Sequence, residues 1–203
     1  MQNLYWKILF QPLMNRRLGN ESVQRLRREV LAQVYGEVLE IGFGSGLNLA
    51  CYPPGIRSMN AIDILPLQTP HPASGIRIQY QIMSAEKLAF PDASFDSVVR
   101  TFTLCSIPDA ESALREITRV LKPQGRFFFL EHGKSQNRCI AALQNLLNPF
   151  YNILACGCNI NRDMLKIIAA CGLTLQTSKV DQCGLPFSGL YFSGIAVKKG
   201  DPC

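Results

Sequence analysis

The chain has 203 residues, of which 47% are apolar and 18% charged, with a formal net charge of +6. That balance excludes disorder and supplies one buried core rather than two, so a single domain over residues 1–203 is expected. No stretch approaches the ~20 apolar residues of a membrane-spanning helix. The apolar start, Leu4 to Met14, is broken by Lys7 and Pro12 and lacks the features of a signal peptide, which points to the cytoplasm.

Residues 1–35 read as an N-terminal helical arm. Val23, Leu26, Val30, Leu31 and Val34 recur at helical spacing, and Gly36 ends the run. The arm carries Lys7, Arg16, Arg17, Arg25, Arg27 and Arg28 against Glu21 and Glu29. This is expected to be the solvated face of a lid helix. A basic, aromatic arm (Tyr5, Trp6, Phe10) also suits peripheral contact with an anionic membrane surface. No Lys/Arg run with interleaved aromatics suggests nucleic acid.

A core follows over residues 36–131. Val38 to Ile41 reads as a buried strand entering a glycine-rich turn, and a helix is expected from Gly46 to about Cys51, stopped by Pro53-Pro54. Asn60 to Asp63, Ile76 to Met83 and Phe95 to Arg100 read as strands. Asp109 caps a helix whose inner face is Ala110, Ala113, Leu114, Ile117, Val120 and Leu121. After Lys122-Pro123-Gln124-Gly125, the strand Arg126 to Glu131 holds Phe127-Phe128-Phe129-Leu130, apolar on both faces. In residues 132–203, Asn161 is expected to cap a helix ending at Cys171-Gly172. Leu173 to Val180 and Leu190 to Val197 close the chain as an antiparallel pair around the loop Gly184 to Gly189. Strands alternating with helices predict a doubly wound α/β sheet of seven mostly parallel strands, the final one antiparallel, with helices on both faces.

In such a sheet, ligands bind beyond the carboxyl ends of the strands. The first strand there delivers Glu40-Ile41-Gly42-Phe43-Gly44-Ser45-Gly46. Glycines let the backbone approach a ligand closely, and amides at a helix start favour an anion. A dinucleotide loop requires glycine at position 47, which is Leu47. An acid followed by Gly-x-Gly-x-Gly is instead the loop type that holds S-adenosylmethionine (SAM). Asp63 ends the second strand, placed to accept bonds from ribose hydroxyls. Ser84-Ala85-Glu86 ends the third, where a polar turn can face adenine. Three successive strands thus deliver suitable groups to one edge.

These stretches, with Ala85-Glu86-Lys87-Leu88-Ala89-Phe90-Pro91-Asp92-Ala93-Ser94-Phe95-Asp96 and Glu116-Ile117-Thr118-Arg119-Val120-Leu121-Lys122-Pro123-Gln124-Gly125, resemble the class I SAM-dependent methyltransferases, with a Rossmann-like fold, in the broad family that includes ubiquinone/menaquinone C-methyltransferases. Asn48 to Pro54, Leu104-Cys105-Ser106, Phe129-Leu130-Glu131-His132, Gly157-Cys158-Asn159-Ile160-Asn161-Arg162 and Gly184-Leu185-Pro186 further resemble the thiol S-methyltransferases of animal membranes and their bacterial relatives. The chain differs from the animal proteins in having no long hydrophobic N-terminal stretch and a shorter segment after Asp63. The resemblance implies that Glu40, Ser45 and the backbone of Gly42, Gly44 and Gly46 hold the methionine part of SAM. It implies that Asp63 binds ribose, that Ala85 and Glu86 border adenine, and that Thr101 flanks the sulfonium.

Methyl transfer is an in-line displacement at an activated carbon, so alignment and exclusion of water are the main tasks. His132 is placed either as a general base or as a histidine bonded to backbone at a strand end. Phe102, Leu104, Cys105 and the aromatic arm are expected around a small-molecule acceptor, a thiol first. A quinone precursor, phenol or lipid is the alternative acceptor, and a non-catalytic SAM-binding adaptor the alternative function. The eight cysteines are dispersed without a Cys-x-x-Cys, and only His71 and His132 are available to complete a site, so no metal is expected.

Overall fold

The computed structural model describes residues 11–67, 75–182 and 190–200. Two helices, α1 (Gln11–Leu18) and α2 (Glu21–Leu31), precede the first strand. Asn20 caps α2 by accepting a bond from the Val23 amide at 3.0 Å. The helix buries Val23, Leu26, Val30 and Leu31, the stripe expected from the periodicity.

Seven strands follow: β1 (Val38–Ile41), β2 (Ser58–Asp63), β3 (Arg77–Ile82), β4 (Phe95–Thr101), β5 (Leu121–His132), β6 (Leu173–Gln182) and β7 (Leu190–Lys198). They form one sheet in the order β3-β2-β1-β4-β5-β7-β6. Neighbours from β3 through β5 are parallel, whereas β7 is antiparallel to both β5 and β6. The reversed strand is therefore inserted between β5 and β6 rather than added at the sheet edge. Strand order turns back between β1 and β4, which opens a crevice at their carboxyl ends.

Each face of the sheet has its own core. Leu39, Val98, Phe127 and Phe129 pack with α3 (Ala110–Val120) and α5 (Met164–Ala170) on one side. Val38, Val99, Phe128 and Leu130 pack with α2 on the other. Alternation along β5 thus explains its unbroken apolar run.

Two local expectations need correction, and one element is added. The helix expected from Gly46 is a single 3-10 turn at Leu49–Cys51. The Asn48 side chain is drawn inward to buried partners, and Pro53 leaves no length for further turns. The cap of α5 is Asp163, which accepts from the Lys166 amide, while Asn161 donates to the Asn145 side chain. The long helix α4 (Arg138–Leu154) was not among the elements read from the pattern. Its apolar residues Leu146, Phe150, Ile153 and Leu154 are exposed while Ala141 and Gln144 are buried, so its inward face is not marked by an apolar stripe. No helix among the described residues is long and apolar enough to cross a membrane. The arm residues Tyr5, Trp6 and Phe10, His71, Cys183, Cys203 and the loop Gly184 to Gly189 lie outside the described residues.

Candidate active site

The turn after β1 is fastened to the end of β2. The amides of Gly42 and Phe43 donate to the Ile62 carbonyl at 2.8 and 3.2 Å, and the Gly44 amide donates to Asp63 Oδ2 at 2.9 Å. Gly42 has φ +77°, and a β-carbon there would lie 2.3 Å from Thr103 Oγ1. Only glycine lets this turn rest against the segment leaving β4. Gly44 has φ +55°, but a β-carbon there would meet no atom within 4 Å. Its outer side faces a cavity of about 280 Å³, near the small end for ligand sites.

Behind the turn lies a buried polar network. Glu40 accepts from Asn48 Nδ2 at 2.9 Å and from the Tyr52 hydroxyl at 2.6 Å. Burial raises its carboxyl to about 7, against the opposing pull of those bonds and of Arg27. Arg27 donates to Asn48 Oδ1 and to Thr101 Oγ1, the latter at 2.7 Å. Its guanidinium lies over the Phe102 ring, 5.3 Å from the centroid. Burial lowers its pKa from the usual arginine value, and Glu40 partly offsets this. The expectation of a solvated basic face on the arm thus fails at Arg27. Only 3% of that residue is exposed, because it reaches inward to Asn48 in the segment after β1 and to Thr101 at the end of β4.

The cavity wall includes Gly42, Gly44, Ser45, Asp63, Thr101 and His132 of the residues singled out in the sequence. Glu40 and Gly46 lie outside this lining, and Glu40 is spent on the network behind it. Ala85 is buried, and Glu86 accepts from the Asp109 amide at 2.9 Å, so the adenine-side turn is tied to the cap of α3. Of the expected rim, Phe102 and Cys105 line the cavity, whereas Leu104 is wholly buried. Helix α1 contributes Met14, Asn15 and Leu18, and Ser45 donates to Asn15 Oδ1 at 3.0 Å. Helix α1 therefore forms part of the pocket wall. The sequence reading gave no site role to Arg27, Asn48, Tyr151, Cys158 and Tyr191, although Asn48 and Cys158 fall in the stretches that carry the resemblance.

At the far end, three segments meet. Cys105 stands in the 3-10 turn Leu104–Ser106, His132 ends β5, and Cys158 follows α4. His132 Nε2 lies 2.9 Å from Cys158 Sγ, which lies 3.3 Å from Cys105 Sγ. The bond from Cys158 and the nearby His132 hold the Cys105 thiol well below its usual range despite burial. Burial works against charge on His132, and the Cys105 sulfur outweighs it, so the imidazole is raised. Beneath, the Glu131 carboxylate accepts from the Thr103 and Leu104 amides at 3.0 and 2.8 Å and fixes the turn that carries Cys105. Phe102, Tyr151, Ala155 and Tyr191 surround this end with apolar surface.

Residues 39–129 match the family model described as a methyltransferase domain. The chain is 31% identical over 172 residues to thiol S-methyltransferase TMT1A of Homo sapiens, covering 73% of this chain and 68% of that one. It is 40% identical over 74 residues to the ubiquinone/menaquinone biosynthesis C-methyltransferase UbiE of Rickettsia bellii, covering 36% and 27%. Among solved structures, it resembles the 1,6-didemethyltoxoflavin-N1-methyltransferase of Burkholderia thailandensis, with bound S-adenosylhomocysteine. The TM-score is 0.64 at 19% identity, over 96% of this chain and 89% of that one.

Proposed function

This chain belongs to the SAM-dependent methyltransferase family and is an enzyme with SAM as its methyl donor, and we propose that its acceptor is a small apolar or amphipathic thiol. SAM supplies a methyl group on a positively charged sulfur, ready for displacement. Everything required of the protein is binding, alignment and exclusion of water. The residues fit that ligand. Gly44 leaves room for close approach of the backbone, Asp63 stands at the edge for ribose, and Arg27 places a buried cation in the wall. We assign Arg27, whose Nε has no hydrogen-bond partner, to the carboxylate of the donor. Thr101 and Asn48 hold that guanidinium in place.

The observation that carries the thiol assignment is the state of His132. A hydroxyl or carbon acceptor requires a general base, but the His132 ring nitrogen facing this end is already engaged with Cys158 Sγ at 2.9 Å. A thiol, with a reference pKa near ~8.5, ionises near neutral pH without a strong base. The apolar wall of Phe102, Tyr151, Ala155 and Tyr191 favours an alkyl or aryl body. The name of the human relative agrees with this reading.

The test is methyl transfer from labelled SAM to a panel of alkyl and aryl thiols, phenols and quinone precursors. Transfer to thiols is expected. Transfer to a phenol or quinone precursor with none to any thiol would overturn the acceptor assignment.

A further inference from the structure

The cluster at the acceptor end has more donor capacity than its hydrogen bonds use. The sulfurs of Cys105 and Cys158 and a ring nitrogen of His132 all lie within 4.8 Å of one another. We propose that Cys105, His132 and Cys158 bind one zinc ion, with the fourth position open to the cavity, where the sulfur of the acceptor thiol binds. The donor set does not depend on the thiol reading, but the identity of the fourth ligand rests on it.

Two thiolates and one imidazole form the set that suits zinc, and three protein ligands with one open position are the pattern of a catalytic rather than a structural site. Zinc bonds of about 2.3 Å to sulfur and about 2.0–2.1 Å to nitrogen place tetrahedral donors about 3.5–3.8 Å apart. The separations of 3.3 Å between sulfurs and 2.9 Å between Cys158 Sγ and His132 Nε2 need to widen by about half an ångström, within reach of small side-chain rotations.

The backbones that carry the donors are held by contacts that use neither the thiols nor the ring. Asn159 donates to the Cys105 carbonyl from its amide at 2.9 Å and from Nδ2 at 3.1 Å. Arg162 donates to the carbonyls of Leu104 and Ile107, both at 2.6 Å. His132 sits in register opposite Tyr191 across β5 and β7. The loop after α4 is thus clipped to the turn after β4, so the three donors are positioned before any ion arrives. Cys105 and Cys158 are buried, yet both border the cavity with His132. An ion among them would therefore have one side facing the substrate space.

The chemistry matches the reaction. On binding, the acceptor thiol gives its proton to solvent and its sulfur enters as a thiolate. As the new sulfur–carbon bond forms, the methyl–sulfur bond of SAM breaks and its electron pair stays on the departing sulfur, which becomes that of S-adenosylhomocysteine. The product is a neutral thioether, a weaker ligand than the thiolate, and so can leave.

The full chain, purified in a non-thiol reductant, should hold close to one equivalent of zinc per chain after dialysis. Cys105→Ser and Cys158→Ser should each lower this about tenfold, while Ser at the exposed Cys139 should leave it unchanged. Should those variants fail to fold, the wild-type protein decides the matter. Cobalt(II) in place of zinc should show the intense visible bands of a tetrahedral, thiolate-ligated ion, and a small aryl thiol should shift them. Less than a tenth of an equivalent of zinc after reconstitution, with no tetrahedral cobalt spectrum, would overturn the metal site, and thiol methylation measured on the same sample would still report on the function. A cobalt spectrum indifferent to every thiol that is methylated would overturn the fourth ligand.

Discussion

Two neighbouring glycines offer a direct separation of folding from donor binding. Gly44→Ala adds a methyl group at φ +55°, a left-handed conformation that costs a residue with a β-carbon about 1–2 kcal/mol. That carbon meets no protein atom within 4 Å, so strain is its whole cost to the fold. For a chain of this size the melting temperature should fall by roughly 2–8 °C. Gly44 also lines the cavity, where the added carbon would hold a charged ligand off the backbone. Affinity for S-adenosylhomocysteine should then drop by about 1.5–3 kcal/mol, roughly ten- to a hundredfold. Gly42→Ala behaves in the opposite way. Its β-carbon would lie 2.3 Å from Thr103 Oγ1 and 2.4 Å from Cγ2, and Thr103 is itself bonded to the Thr101 carbonyl at 2.9 Å. Clash is added to strain, so this variant should lose several kcal/mol of stability, roughly the range for overpacking plus backbone strain. Thermal melts of both proteins without ligand, followed by calorimetric titration with S-adenosylhomocysteine, measure the two effects separately. Wild-type affinity in Gly44→Ala would refute a donor lying against this turn.

Asp63→Ala should weaken S-adenosylhomocysteine binding by about 1.5–3 kcal/mol, partly because the Gly44 amide loses its anchor; calorimetry showing no change would place the ribose elsewhere. Arg27→Met should lower affinity for S-adenosylhomocysteine at least tenfold, on the order of 1.4 kcal/mol, and leave 5′-methylthioadenosine, which lacks the amino-acid part, unaffected. Equal losses for both ligands would remove Arg27 from the carboxylate. The pH dependence of folding should carry the mark of Glu40, whose carboxyl is raised by burial to about 7 among Tyr52, Asn48, Arg27 and Asp63. A raised carboxyl favours the protonated folded state. Its contribution is full below the unfolded value of about 4.5 and is lost as pH rises through about 7, on the order of 3 kcal/mol in all. Denaturant midpoints from pH 4.5 to 8 should show this fall in the wild type and a flatter profile in Glu40→Gln; parallel profiles would contradict it.

What could be read from the sequence by itself is what depends on neighbours along the chain. Helical spacing of Val23, Leu26, Val30 and Leu31, the two-faced run Phe127 to Leu130, and the glycines of the turn after β1 each declare a local conformation, because periodicity and positive φ are properties of a few consecutive residues. Asp63 was legible for the same reason, as the acid at the end of a recognisable strand. Helix α4 escaped because its exposed Leu146, Phe150, Ile153 and Leu154 hide the contrast between faces on which such a reading depends. The burial of Arg27 and the service of Glu40 behind the cavity wall belong to the tertiary structure alone. Charge in a sequence predicts exposure, and only the convergence of α2 with the ends of β1 and β4 supplies the partners that make burial tolerable. The same holds at the acceptor end. Residues 105, 132 and 158 have no spacing that marks them as a group. They meet because β4 and β5 are parallel neighbours whose carboxyl ends lie side by side, and because Asn159 and Arg162 clip the loop after α4 against them.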